Sequence, residues 1–323
     1  MIALNVQRKL IYIFFIFISL SVKAQELPLY SQYILNPYLI NPAIAGIAGS
    51  GALQIMNRSQ WLGIKDAPQT NLISYHQGFG NVGLGGHVYS DKNGNTSNMG
   101  FQLTYAYHIY LSNKYLGNKN KRLSFGLSVT GLQRKIDESS FMQAGKDPLI
   151  NGTEQKSFSP NGNFGIYFTN KNFFSGLSCA NLIQTTNNIY SPQRTFFLQM
   201  GQSFNNRYRY VIEPSITTKF DQQKDWQLDA NLKVYLPEKN NRQFWGGLSL
   251  RNNMGESFKE GAYSILFIGY NTARLRFAYA LEYGLNPIRS NNAGSHEFML
   301  LYTFGNFVPH MCPAYSDMGH LYK

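Results

Sequence analysis

The sequence predicts an all-β protein: a transmembrane, antiparallel, up-and-down β-barrel of about fourteen strands, entered through a short N-terminal lead-in at its periplasmic end. Three observations carry this. Apolar and polar residues alternate with period two through most of 52–304. Most alternating runs are eight to twelve residues long, matching the ~9–11 residues a tilted strand needs to cross a bilayer. No later stretch approaches the ~18 consecutive apolar residues of a spanning helix.

Strands are expected near 52–61, 69–77, 82–89, 99–111, 123–134, 161–169, 173–180, 195–203, 210–220, 225–236, 244–251, 262–270, 275–283 and 295–304. The clearest has Phe101, Leu103, Tyr105, Tyr107 and Ile109 alternating with Gln102, Thr104, Ala106 and His108. In another, Leu228, Ala230, Leu232, Val234 and Leu236 alternate with Asp229, Asn231 and Lys233. The connections give an independent check. With both ends periplasmic, the outward loops average roughly twelve residues and the inward turns roughly six, the asymmetry of outer-membrane barrels. Lys135–Pro160 is the longest loop expected and 170–172 the shortest turn. Alternation alone suits a soluble sandwich as well. Strand length and number, with Tyr and Phe recurring near strand ends, favour the membrane. So does the run His296–Phe304, which ends in an aromatic like the closing strand of such barrels, although nineteen residues follow it.

Composition agrees. Aromatics make up 15% of the chain and charged residues 14%, well under the usual quarter charged. Residues 1–24 read as a signal peptide: Arg8 and Lys9, then an apolar run from Leu10, then Val22 and Ala24 at a small-residue cleavage site. Removing Arg8, Lys9 and Lys23 lowers the formal net charge from +12 to +9. Two cysteines, Cys179 and Cys312, make no disulfide framework or CxxC metal site. The expected organisation is signal peptide 1–24, lead-in 25–51, barrel 52–304 and tail 305–323, in the cell outer membrane.

The lead-in carries the most distinctive local chemistry. Asn36-Pro37 and Asn41-Pro42 lie five residues apart. Proline fixes φ, lacks an N–H and biases its predecessor away from helix. An ordered, turn-rich segment is expected, closed by Gly46. Gly83, Gly85 and Gly86 interrupt a strand pattern. With no helix following they are not a phosphate loop, and strand glycines mark close approach of another segment. The lead-in, folded into the barrel mouth, is the candidate for that segment.

Tyr30-Ser31-Gln32-Tyr33, Asn36-Pro37, Asn41-Pro42-Ala43-Ile44-Ala45-Gly46, Arg58-Ser59-Gln60-Trp61-Leu62-Gly63 and Ala67-Pro68-Gln69-Thr70 together resemble the PorP/SprF family of type IX secretion system membrane proteins. Further matches are Val82-Gly83-Leu84-Gly85 with Asp91-Lys92, Asp147-Pro148-Leu149 and Phe158–Phe168. Tyr30 departs from the family's usual Phe, and the tail beyond Phe304 departs more. The resemblance implies a non-enzymatic outer-membrane component of the type IX secretion and gliding apparatus. Such a component docks or retains a secreted surface protein, or links to periplasmic machine components. Candidate partner-binding or structural motif residues are Ser31, Gln32, Asn36, Pro37, Asn41, Pro42, Ala43, Gly46, Arg58, Gln60, Trp61, Pro68, Asp147, Pro148 and Leu149. The alternative is a channel or hydrophobic-substrate transporter, with the lead-in as a hatch.

The expected periplasmic turns carry ten basic residues, among them Lys121, Arg122 and Arg242, against Glu238 alone, a rim suited to acidic partners or to membrane-edge anchoring. Asp229, Lys233, Arg276, Glu282 and Glu213 fall on the polar strand face. A charge facing lipid at midplane costs roughly 2–4 kcal/mol, so these should turn into the lumen and pair, with strand-end headgroups as the alternative for Glu282 and Glu213. Catalysis has no support: His76, His87, His108, His296, His310 and His320 form no HExxH or triad pattern. No cofactor, metal or nucleic-acid partner is expected. Trp61 reads as an interfacial anchor.

Overall fold

The computed structural model describes residues 32–34, 36–111, 121–139, 153–184, 192–206, 210–222, 225–238, 242–253, 262–285 and 292–305. The expected signal peptide, the tail beyond Gly305, Ser31 and Asp147-Pro148-Leu149 lie outside the described residues. Only the backbone of Gln32 is described.

The strands are β1 Gly51–Ser59, β2 Gln69–Phe79, β3 Val82–Asn93, β4 Thr96–Tyr110, β5 Lys121–Asp137, β6 Glu154–Asn170, β7 Phe173–Ala180, β8 Thr195–Gln202, β9 Phe204–Asn206, β10 Tyr210–Asp221, β11 Trp226–Glu238, β12 Arg242–Asn253, β13 Ala262–Asn271, β14 Leu275–Gly284 and β15 Ser295–Phe304. Each pairs antiparallel with its neighbours, and β15 pairs back onto β1, with Gly51 opposite Phe304 and Ser59 opposite His296. The sheet is therefore closed. Closure pairs the strands around the ring with no edge strand left facing lipid, which is what lipid demands. β8 and β9 pair with β10 in one register, broken only around Ser203 and Pro214, so they form one stave, and the barrel is fourteen-stranded with one extra short strand.

The alternation is inside-out relative to a soluble sheet. On β4, Gln102, Thr104, Ala106 and His108 are buried while Phe101, Leu103, Tyr105 and Tyr107 are exposed. The same holds around the ring: Ile55, Ile73, Leu232, Leu248, Leu266 and Leu300 face out, and Gln54, Ser74, Asp229, Lys233, Ser249 and Arg251 face in. A continuous apolar exterior over a polar interior needs hydrocarbon around it, so the ambiguity between sandwich and barrel is resolved in favour of the membrane.

Connections on the side of the chain termini are mostly brief, such as 80–81, 171–172 and 272–274, and those opposite include 60–68, 138–153, 181–194 and 285–294. The short side is periplasmic by the barrel rule. Two expected loops shrink. The 135–160 loop loses both ends, because β5 runs to Asp137 and β6 starts at Glu154. Pro160 lies inside β6, where it needs to pair only with β5, since β7 pairing begins at Phe164; an edge position tolerates the missing N–H. The connection after β3 is also only a tight turn at Gly94-Asn95, with Gly94 at φ +55°.

The lipid-facing assignment predicts that Leu248→Arg, flanked across the ladder by Leu232 and Leu266, destabilises the barrel by about 2–4 kcal/mol in bilayer unfolding titrations. A loss near zero would mean that this position lies outside the hydrocarbon layer.

Candidate functional site

The lumen is not empty. A first 3-10 turn, Gln32–Ile34, leads in, and residues 36–50 run through the lumen as consecutive tight turns that include two more, Pro37–Leu39 and Pro42–Ile44. Pro37 and Pro42 each open a turn, the position where a missing N–H is harmless. The Asn41 side chain accepts from the Ala43 N–H at 3.0 Å and caps the third turn. Gly46 has φ +68°, and a Cβ there would come within 2.5 Å of the Gln77 carbonyl and 2.6 Å of the Gly83 Cα. Both observations require glycine.

The wall is cut to receive this chain. A Cβ on Gly83 would strike the Ala45 carbonyl, one on Gly126 the Pro42–Ala43 backbone, and one on Gly165 the Asn41 side chain. These glycines stand on β3, β5 and β6. Gly78 on β2 likewise faces the Gly46 carbonyl. The result is a groove in which two backbones touch with no side chain between them. Gly83 and Gly85 thus meet the segment expected from the sequence. Gly86 differs, because its nearest contacts are the Gln102 carbonyl and Leu103.

Because buried backbone polar groups must be paired, the plug is stitched to the wall. The Gly46 N–H donates to His76 Nδ1 at 3.2 Å. The Ala45 carbonyl accepts from His108 Nε2 at 3.0 Å, and the Ile47 carbonyl from Arg122 Nη1 at 2.7 Å. Ser178 Oγ donates to the Ile40 carbonyl at 2.6 Å. Asn41 Nδ2 donates to the Ile166 carbonyl at 3.1 Å. Tyr38, fully buried, shares a 2.9 Å hydrogen bond with Thr104 Oγ1 and lies edge-on to His76 at 5.0 Å between ring centres. Burial raises its phenol pKa. His87 also lies edge-on to Tyr38, at 6.1 Å between ring centres, so His76, His87 and His108 are wall residues around the plug, and no group of three metal-ligating side chains occurs among the described residues.

Opposite the glycine groove stands a charged wall. Asp229, Arg251, Glu282, Arg58 and Glu297 form one chain of ion pairs from β11 through β12 and β14 to β1 and β15. Arg251 reaches Asp229 at 3.0 Å and Glu282 at 2.8 Å, and Arg58 reaches Glu282 at 2.9 Å. Arg58 also pairs with Glu297, its partner directly across the β1–β15 seam. Lys233 pairs with Glu213 at 2.5 Å and donates to the Ile34 carbonyl at 3.1 Å. Tyr33 donates to Asp229. Burial, then the adjacent carboxylate, push its phenol pKa well above the ordinary range. Glu213 and Glu282 are thus luminal, not at the headgroups, since each has a buried cation in reach. Arg122 is likewise luminal, not part of a periplasmic rim, because it caps the plug.

Of the candidate motif residues, Asn36, Pro37, Asn41, Pro42, Ala43 and Gly46 meet in the lumen. Arg58 belongs to the charged wall. Gln60, Trp61 and Pro68 lie in the external 60–68 loop, which the Gln60 N–H closes on the Pro68 carbonyl at 2.9 Å. Trp61 is 38% exposed there at φ +46°. Sequence reasoning missed Gly126 and Gly165, Tyr33 and Tyr38, and Arg251. The only local signal of the two glycines is a missing side chain at inward-facing strand positions.

A family model for the type IX secretion system membrane proteins PorP/SprF matches residues 22–302. No curated protein matches the chain at a significant level. Among solved structures, the CymD monoaromatic hydrocarbon channel is similar with a TM-score of 0.50 at 10% identity, over 90% of this chain and 96% of that one. The toluene transporter TodX of P. putida gives 0.49 at 8% identity, over 84% and 94%. CdiB from Acinetobacter baumannii gives 0.45 at 9% identity, over 79% of this chain but only 60% of that one. At these identities the likeness to CymD shows the fold alone.

Two predictions follow from the lumen. Gly126→Val should expel the plug. Chymotrypsin then cuts at Tyr33 or Tyr38 in the purified barrel, while wild type and Gly246→Ala, where a Cβ meets nothing closer than 3.6 Å, stay protected. Arg58→Met leaves Glu297 without its cross-seam partner, and loss of one member of a buried pair costs about 3–5 kcal/mol, readable as a lower unfolding midpoint.

Proposed function

We propose, from the premise that the chain belongs to the PorP/SprF family of type IX secretion system membrane proteins, that it is a non-catalytic docking barrel. In this reading it sits in the outer membrane and holds a secreted surface protein at its external rim. The observation that carries docking over transport is the plug. The lumen holds its own chain from Tyr33 to Ile47, with backbone packed on wall glycines. A barrel built to conduct would need that segment to leave a path. A barrel built to hold gains a rigid rim from it. Relatives in the family supply the class of partner: a type IX-secreted protein outside, or machine components on the periplasmic side.

Two features support an external docking face. Segments 60–68 and 285–294 are joined by backbone hydrogen bonds, from Leu62 N–H to the Gly294 carbonyl at 2.9 Å and from Ala293 N–H to the Leu62 carbonyl at 3.0 Å. The β4–β5–β6 hairpins are the tallest staves, with β5 and β6 each seventeen residues long. Long external connections on a rigid scaffold are where binding residues concentrate. The hydrocarbon channels of the same fold motivate the competing transport reading, which requires a route past the plug.

The test has two parts. Replacing 138–153 with a short turn joining Asp137 to Glu154 should abolish co-purification of the secreted partner from solubilised outer membranes. Barrel assembly, read by heat-modifiable migration, should persist. Unchanged retention would defeat the loop assignment. Reconstituted wild-type protein should also show no steady conductance, and open-channel currents or hydrocarbon uptake by wild type would favour transport.

A further inference from the structure

Above the plug, the external half of the lumen holds a cavity of about 130 Å³. Its floor is made by the plug itself, through Leu39, Ile40 and Pro42. Its wall is largely apolar, with Tyr89, Leu132 and Phe197, and carries the polar groups of Gln102, Thr130 and Ser159 and one cation, Lys219. No carboxylate lines it among the described residues. With the plug as its floor, this cavity is a cup closed from below among the described residues.

The cup is not chemically complete. Ser159 is 1% exposed, and its hydroxyl has no hydrogen-bond partner among the described residues. His87 Nδ1, also at the cup, is in the same position. An unpaired buried polar atom is costly to leave unmet, and such atoms in a cavity wall mark a place where a polar occupant gains. Asn161 and Asn181, by contrast, are already committed. Asn161 bonds the Ile183 N–H and carbonyl at 2.9 and 2.8 Å, and Asn181 Nδ2 bonds the Gln193 carbonyl at 2.9 Å. They hold the rim in place and leave Ser159 and His87 as groups able to answer a ligand.

We propose that this cup receives one apolar or aromatic side chain of the secreted partner, with its flanking peptide groups hydrogen-bonded to the wall. The inference rests on the docking reading above and deepens it. A largely apolar cup with a few unanswered polar groups in its wall fits the two halves of a peptide unit: the side chain fills the apolar part and main-chain amides meet Ser159 and His87. The volume lies below the ~300–1,000 Å³ of sites for drug-sized molecules, and matches a single anchoring side chain of the kind that dominates protein interfaces. A hydrocarbon would fill the floor but leave the buried hydroxyl unanswered. An acidic side chain would sit on Leu39 and Ile40, with Lys219, which already has a partner, as the one lining cation among the described residues.

The test uses the full-length, detergent-solubilised barrel and defined probes. Blocked pentapeptides Gly-Gly-X-Gly-Gly are titrated by calorimetry with X as Phe, Leu, Ser or Asp, alongside toluene. Phe or Leu should bind at least about tenfold more tightly than Ser or Asp, a difference of about 1.4 kcal/mol. Leu39→Trp, which fills the cup from below, should abolish that binding, and Ser159→Ala should weaken it severalfold while leaving heat-modifiable migration unchanged. No preference for Phe or Leu, or toluene binding without peptide binding, overturns the proposal. In cells, partner retention separates the two readings. If wild type retains the partner and Leu39→Trp retains it equally, the cup is wrong and docking stands. If wild type retains none but the peptides bind as expected, docking is wrong and the cup stands.

Discussion

The contact on which the interior depends is that between the lead-in backbone and the glycines of the wall. Gly83 and Gly126 leave room for residues 42–45 at backbone-to-backbone distance, and Gly165 leaves room for the Asn41 side chain. That proximity puts the Gly46 N–H and the Ala45 and Ile47 carbonyls within reach of His76, His108 and Arg122. A side chain larger than hydrogen at the wall would separate the backbones and leave those groups buried and unpaired. Each such loss costs more than the bond was worth, because the desolvation remains. The plug therefore depends jointly on shape and hydrogen bonding, and either fails if the other does.

The charged wall solves a different problem. The barrel must put polar residues inside, because lipid excludes them outside, and charged ones must then be paired. Arg58, Glu297, Glu282, Arg251 and Asp229 form such a set, and it crosses the β1–β15 seam where the barrel closes. Buried ion pairs contribute little net stability against an apolar replacement, but they are costly to break singly. Their position at the seam gives register: Arg58 lies directly opposite Glu297, and a slip of one residue would turn one of the two into lipid. Tyr33 and the Ile34 carbonyl attach the start of the plug to Asp229 and Lys233 of this wall, so closure and plugging share the same charged groups.

Much of this was legible in the sequence, for reasons that differ by element. Phe101–Leu111 and Trp226–Leu236 announced their strands because period two is a local property, and the lipid requirement makes it unusually strict. The glycine run at 83–86 signalled a close approach, and Asn36-Pro37 with Asn41-Pro42 signalled turns, because both act through backbone sterics within a few residues. What was not legible depends on contacts far apart in the chain. Nothing near Glu213 or Glu282 says whether a luminal cation or a headgroup will meet it; Lys233 is twenty positions from one, and Arg58 joins the chain's beginning to the other. Gly126 and Gly165 looked like ordinary gaps in alternating strands until the plug lay against them. Arg122, read as a turn residue, turns inward because the Ile47 carbonyl needs a donor.

The plug also changes what the exterior can do. An open barrel of this size would have a flexible rim and a wet bore. A filled one transmits the rigidity of its interior to its external connections, and binding loops gain affinity when less motion is lost on contact. The cup above Leu39, Ile40 and Pro42 follows from the same filling: without the plug there is a bore, and with it there is a floor. In the proposed docking reading, the features that argue against a free path through the barrel are also the ones that floor the cup at its mouth. A mutation in the glycine groove should accordingly act on the external face, although it lies in the periplasmic half of the wall. This connection can be checked by comparing the Gly126→Val barrel with wild type for binding of the Phe-centred peptide. Loss of peptide binding together with loss of plug protection is the expected pattern. Retained binding on an unplugged barrel would show that the floor is not what the peptide meets.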